Sequence, residues 1–253
     1  IKGNKFDGNN YINQAISNGA KVIFCSQPIK KNKKTTFISF KDTRNILAKI
    51  STKYYRDKPN NIIAVTGTNG KTSISDFFYQ IFTLQKKKSG FIGTLGFRKY
   101  KTLKRRNLTT LDSLTLNRDL DEMKKNQINN VMVEASSHGL KQKRLNFINI
   151  KAGIFTNLSQ DHLDYHKNMK DYLHSKLLLF KNLLAKKGVI ITDTDVKQYT
   201  EIKKIKKKRN LRMFTIGSKS NTFQILNHKI FKNFQFLEIK YNKKIYKLKI
   251  NLY

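Results

Sequence analysis

The tightest cluster of chemically able residues is TGTNGKT, Thr66–Thr72. Gly67 and Gly70 let a backbone curl around phosphate oxygens, Lys71 can reach β and γ oxygens, and the Thr72 hydroxyl can ligate magnesium. Ile62–Val65 before it reads as a buried strand. After it, Ile74, Phe77, Phe78, Ile81 and Phe82 recur at helical spacing as one apolar face. The glycines thus sit between a strand and a helix N-terminus, where free N–H groups and the helix dipole favour an anion. The strict nucleotide-loop pattern wants glycine where Val65 stands, and a plain glycine turn is the bland alternative. The strand-loop-helix setting decides for ATP or a related nucleotide.

Further along, Glu134 ends the apolar run Val131–Ala135, and SSHGL follows it. A carboxylate at the end of a parallel strand lies where open α/β sheets bind ligands. An exposed loop glutamate is the alternative, but its setting between Val133 and Ala135 favours a metal role. TNLSQDHLDYH, Thr156–His166, holds Asp161, His162, Asp164 and His166; with His138 it places three of the five histidines directly after strands. One histidine alone is more often a surface or capping residue. Lys176 has Tyr172, Leu173, Leu179 and Phe180 as its helical neighbours, so it projects from an apolar face. Its residues alone favour an aliphatic stem on the core with the ammonium reaching water. The alternative is a desolvated amine of lowered pKa that can react.

The elements that must carry these groups alternate. Apolar runs at Ile62–Thr66, Phe91–Leu95, Val131–Ala135, Ala152–Thr156 and Val189–Thr192 are mostly separated by helical patterns, which predicts a mainly parallel sheet flanked by helices. Beyond Leu211 the apolar period becomes two, which predicts an antiparallel element. Upstream, Tyr11–Ser26 reads as a short helix, a turn at Gly19 and a strand. Phe37–Phe40 reads as a strand, Thr43–Tyr55 as a helix, and Asp57–Asn61 as a linker. The 253 residues carry a formal charge of +36. The lysines are dispersed and rise together with Asn, Ile, Phe and Tyr, residue types of A/T-rich codons, so base composition accounts for the excess. Lone Cys25 in an apolar run is expected to be a small buried hydrophobe, and it excludes an intrachain disulfide. No apolar run approaches the ~18 residues of a membrane span. The chain begins at Ile1 and stops at Tyr253 within a strand-like pattern, and a fragment is expected.

Six stretches, GTNGKTS, FIGTLG, TTLDSLTL, EASSHGLKQKR, FTNLSQDHLDYH and DYLHSKLLLF, resemble the Mur ligases in order and spacing across Asn61–Phe180. Among them they look most like the branch that adds the third residue of the peptidoglycan stem peptide. FDGNNYINQAISNGAKVIF is similar to the end of that family's uridine-binding domain. The resemblance implies residues 1–58 as the C-terminal part of an N-terminal UDP-binding domain and 59–253 as a P-loop central ATP-binding domain, incomplete, with the C-terminal ligase domain absent.

By that resemblance, Gly67, Thr68, Asn69, Gly70, Lys71 and Thr72 hold the ATP phosphates. Thr72 and Glu134 ligate one Mg²⁺, and Glu134 and His162 help hold a second. Lys176 matches the lysine that takes up CO₂ as a carbamate, an oxygen ligand of the hard type that magnesium prefers. Lys71, Glu134, His162 and Lys176 form the catalytic set. Thr109, Thr110, Ser136, Gln142 and Arg144 match substrate positions, and Asn4, Lys5 and Phe6 fall where the uridine end is gripped. Leu111 replaces a proline common in the family, which puts that loop's shape in doubt. The implied activity is ATP-dependent amide-bond formation between UDP-N-acetylmuramoyl-L-alanyl-D-glutamate and meso-diaminopimelate or L-lysine, through an acyl phosphate, by a cytoplasmic monomer that needs neither nucleic acid nor membrane. The rivals are a sister Mur ligase, a folylpolyglutamate synthetase, or a basic nucleic-acid-binding protein that uses ATP. That last reading needs lysines and aromatics gathered on one face.

Overall fold

The computed structural model describes residues 1, 3, 7–26, 35–99, 102–104 and 107–251. Asn4, Lys5 and Phe6 lie outside the described residues. After a short 3-10 turn come α1 (Ile12–Ser17), β1 (Val22–Cys25), β2 (Thr36–Ser39) and α2 (Thr43–Tyr54). β1 and β2 pair in parallel as a two-stranded sheet of their own. Gly19 turns the chain at φ +86°, and Cys25 is buried. Asp42 caps α2 by accepting from the Asn45 N–H.

The next strands and helices are β3 (Asn61–Thr66), α3 (Lys71–Leu84), β4 (Ser89–Gly93), β5 (Gly96–Lys99), β6 (Thr102–Lys104), α4 (Ser113–Lys125) and β7 (Asn130–Glu134). They are followed by α5 (Ser137–Lys141), β8 (Ile150–Phe155), α6 (Met169–Leu178), β9 (Leu184–Asp193), α7 (Tyr199–Arg209), β10 (Arg212–Gly217), β11 (Phe223–Ile230), β12 (Phe234–Tyr241) and β13 (Lys244–Asn251). The strands from β3 onward form one sheet in the order β13-β12-β11-β10-β9-β8-β3-β7-β4-β5-β6. Its middle, β4-β7-β3-β8-β9-β10, is parallel throughout. The expected architecture is therefore present. Two details differ from expectation. β10 pairs in parallel with β9, so antiparallel pairing starts only with β11 and β12. At the opposite edge, β4, β5 and β6 form an antiparallel meander that the short, polar β6 gave no sign of.

A large core that includes Ile62, Ala64, Leu116, Leu120, Val131, Val133, Phe155 and Phe180 fills one side of the sheet beneath α4, α6 and α7. On the other side, α3 packs Ile74, Phe78 and Tyr79 on Val65, Phe91 and Met132. This corrects the single apolar face expected of α3: Phe77 is 59% exposed and Ile81 is exposed too, while Ser75 is buried. The buried face is turned toward Ile74, Phe78 and Tyr79, and Ser75 Oγ satisfies itself by donating to the Lys71 carbonyl.

Candidate active site

β3, β7 and β8 end side by side, and β7 and β8 flank β3 on opposite sides. The sheet extends outward from β3 in both directions, toward β7 and β4 on one side and β8 and β9 on the other, leaving a crevice beyond the carboxyl ends of the strands. The loop between β3 and α3 rises into it. Gly67 has φ +150°, and a Cβ there would lie 1.8 Å from Thr156 Oγ1, so only glycine fits. Gly70, at φ +84°, stands at the N-cap of α3, and no side chain caps that helix. Its first N–H groups therefore face the crevice as donors for an anion. Lys71 Nζ folds back onto the carbonyls of Gly67 and Thr68, at 3.0 and 2.8 Å. Burial lowers its pKa, against the attraction of Glu134 and Asp161.

The β8 end fastens this loop. Asn157 Oδ1 accepts from the Asn69 N–H at 2.9 Å, and Thr156 Oγ1 donates to the Asn69 carbonyl at 2.6 Å. Thr68 Oγ1 lies 3.2 Å from the Tyr172 hydroxyl. Asn157 and Tyr172 are not among the site residues expected from sequence. Their polar atoms directly after, or opposite, an apolar strand are the available signal.

Glu134 is buried, and desolvation raises its pKa. Its oxygens accept from Thr72 Oγ1 at 3.1 Å, from Thr94 Oγ1 at 3.0 Å and from the Thr94 N–H at 3.1 Å. Thr94 Oγ1 also lies 3.0 Å from Thr109 Oγ1, which can donate to it. This threonine, in the turn after β4, is a further residue missing from the expected set, although it lies within FIGTLG. A Cβ at neighbouring Gly93 would fall 2.1 Å from the Glu134 carboxylate, so this turn is built around that group.

Lys176 is 1% exposed, with Tyr172, Leu179 and Phe180 buried around it. The snorkelling reading favoured by its residues alone therefore fails. Nζ donates to the Gly67 carbonyl at 2.7 Å and stands 4.3 Å from the centre of the Tyr172 ring. Burial first, and then the nearby Lys71 ammonium, bring its pKa down to about 7. The neutral amine is thus far more accessible near neutral pH than for an ordinary lysine.

His138 and His162 meet ring to ring at 5.0 Å, and His162 also faces Tyr172 at 6.0 Å. His162 adopts φ +52°, in the left-handed region. Burial, followed by the charges of the other two histidines, drops the His138 pKa to about 4. Glu134 and Thr72 are directly joined, whereas His162 stands with aromatic rings. Among the described residues no group of three or more His, Cys, Asp or Glu could hold a metal. A magnesium at Thr72 and Glu134 would take the rest of its shell from water and phosphate oxygens, its usual habit. The desolvated carboxylate, two threonine hydroxyls and the uncapped helix end fit a nucleotide–magnesium pair.

Of the residues expected to meet substrate, Thr110 donates its Oγ1 proton to the Glu134 carbonyl at 2.7 Å and lies 3.0 Å from Ser136 Oγ. Arg144 donates to Gln142 Oε1 and to the Thr110 carbonyl. Leu111 packs into the core, and Asp112 beside it caps α4, so the loop keeps a defined shape without proline. A cavity of about 330 Å³ opens here, lined by Tyr11, Arg44, Asp112, Ser113, Gln142 and Arg144.

The family model of the Mur ligase middle domain matches residues 65–253, well over half of the sequence. The chain belongs to the Mur ligase family. It is 37% identical over 229 residues to the UDP-N-acetylmuramoyl-L-alanyl-D-glutamate–2,6-diaminopimelate ligase of Rickettsia prowazekii (strain Madrid E), covering 87% of this chain and 47% of that protein. The ligase of the same name from Aquifex aeolicus (strain VF5) is 36% identical over 255 residues, covering 100% of this chain and 51% of its own. A solved structure of a ligase of that name superposes with a TM-score of 0.81 at 27% identity, over 94% of this chain and 49% of that one. This Mur ligase chain spans about half the length of the relatives it matches.

Proposed function

We propose that the chain is the nucleotide-binding part of a ligase that joins 2,6-diaminopimelate to the D-glutamyl carboxylate of UDP-N-acetylmuramoyl-L-alanyl-D-glutamate. The observation that carries this reading is the junction at Gly67, whose carbonyl accepts from both Lys71 and buried Lys176. Two lysine Nζ groups on one carbonyl, beside a desolvated carboxylate, make a site that an anion and a divalent cation complete. Diaminopimelate is preferred to lysine because the relatives' names specify it.

In this reading residues 1–58 belong to a UDP-binding unit, and 59–253 to the ATP-binding unit. ATP held here would give its γ-phosphoryl group to the carboxylate, forming an acyl phosphate with ADP as leaving group, and magnesium would offset the phosphate charge. Gly67, Thr68, Asn69 and Gly70 cradle its phosphates, and Lys71 swings from the loop carbonyls to the phosphate charge. Thr72 and Glu134 hold one magnesium. Lys176, as its neutral amine, would add CO₂ with loss of a proton, and the carbamate would help Glu134 and His162 hold a second magnesium. Opposed anions are the main electrostatic obstacle, and these cations offset it. Thr109, Thr110, Ser136, Gln142 and Arg144 bind the dipeptide end of the substrate, and Asn4, Lys5 and Phe6 grip the uridine. The work is done by a cytoplasmic monomer; no described helix is long and apolar enough to cross a membrane.

ADP release by the whole gene product tests this. Release is expected only with the dipeptide substrate and diaminopimelate present together, and Lys71→Ala should lower it at least about 100-fold. Release with lysine alone would change the amino acid, and retention on DNA without ADP release would favour the nucleic-acid rival.

A further inference from the structure

α5 and α6 lie against each other, and one imidazole bridges their first turns. His166 Nε2 stands 2.9 Å from Oγ of Ser137, the first residue of α5. His166 Nδ1 stands 3.4 Å from Oδ2 of Asp171, the first-turn acid of α6. Asp171 also accepts from Lys141 Nζ at the far end of α5, at 2.6 Å, and from the Lys167 N–H at 3.3 Å. Lys141 holds the Asp171 carboxyl below the usual range, so that oxygen accepts only. Ser137 Oγ and His166 Nε2 share one hydrogen bond whichever tautomer the ring takes, and Nδ1 keeps only the longer contact with Asp171.

Asp, His and Ser stand in the order of a hydrolytic triad. Ser137 and His166 are each 1% exposed, however, and no substrate carbonyl reaches that hydroxyl. The arrangement holds rather than reacts. What it holds are the two halves of the site. α5 is flanked by Ser136 and by Gln142 and Arg144 on the substrate side. α6 carries Tyr172 and Lys176, which touch Thr68 and Gly67 of the phosphate loop.

We infer that His166 is a positioning residue for the proposed reaction, clamping the substrate-side helix α5 to the nucleotide-side helix α6. The inference rests on the proposed function for its catalytic readout and on the geometry alone for its structural one. A rigid buried ring, hydrogen-bonded to Ser137 at one edge and set against Asp171 at the other, fixes the helix spacing, and a shift of about 1 Å at a reacting centre costs up to ~100-fold in rate.

The test uses the whole gene product as wild type, Ser137→Ala, His166→Phe, the double variant and His166→Gln. Phenylalanine keeps the ring volume, and glutamine places an amide near the Nε2 position. His166→Phe should lower kcat about 10- to 100-fold with KM for ATP little changed. Ser137→Ala should reproduce much of that loss, the double variant should be no worse than His166→Phe, and glutamine should restore part. Unchanged kcat in His166→Phe, or additive losses without rescue, would overturn the clamp. Urea unfolding of the same proteins decides independently of turnover: coupled free energies uphold the Ser137–His166 link, and additive ones overturn it. Wild-type protein without dipeptide-dependent ADP release would contradict the proposed function, and the unfolding measurement would still decide the clamp.

Discussion

Lys176 is held in a place that works against it as an ammonium ion. In the folded chain its pKa is about 7, well below the ordinary 10.5. Between these values the unfolded chain binds the extra proton, so stability should rise as pH climbs from 7 toward 10.5. The rise is on the order of a few kcal/mol. Lys176→Met removes the buried amine, and should stabilise the fold at pH 7 and flatten that pH dependence in CO₂-free buffer. Urea midpoints at pH 7 and 9 check both statements. A residue that costs stability and whose apolar replacement improves it is one kept for chemistry. Its apolar helical neighbours were legible in the sequence. Its complete burial was not, because that depends on the loop carbonyl of Gly67, over a hundred residues away.

The element that organises the site is the β3–loop–α3 unit, and its glycines are not equivalent. At Gly67 an added Cβ collides with Thr156, whereas at Gly19 nothing lies within 4 Å although φ is +86°. Gly67→Ala should therefore destabilise the chain by about 2 kcal/mol or more and abolish binding of an ATP analogue. Gly19→Ala should cost about 1 kcal/mol and leave binding intact. Thermal unfolding and calorimetric titration separate the two. The loop was legible because strand, glycines and helix follow one another directly. Other elements were hidden by non-local causes. The β10 register depends on its pairing with β9, and the β5–β6 meander rests on strands of only 4 and 3 residues. The exposed Phe77 shows that apolar spacing alone does not fix which face a helix buries: here Ile74, Phe78 and Tyr79 meet the sheet instead.

Across the whole molecule, the parallel strands converge three sources of function on one crevice: the loop after β3, Glu134 at the end of β7, and Thr156–Asn157 at the end of β8. One cover is uneven. β10 leaves Phe214 46% exposed on the face opposite the main core, where α3 reaches only the strands nearer β4. The +36 charge, dispersed rather than gathered, gives a general field that attracts anions and is screened by salt. The central claim is that this crevice transfers a phosphoryl group to a carboxylate before the amide forms. Supplying the dipeptide substrate with oxygen-18 in its D-glutamyl carboxylate, and measuring the released phosphate by mass spectrometry, tests that directly. An acyl phosphate route moves one labelled oxygen into each phosphate released. Phosphate free of label, with amide product formed at the same rate, would contradict it.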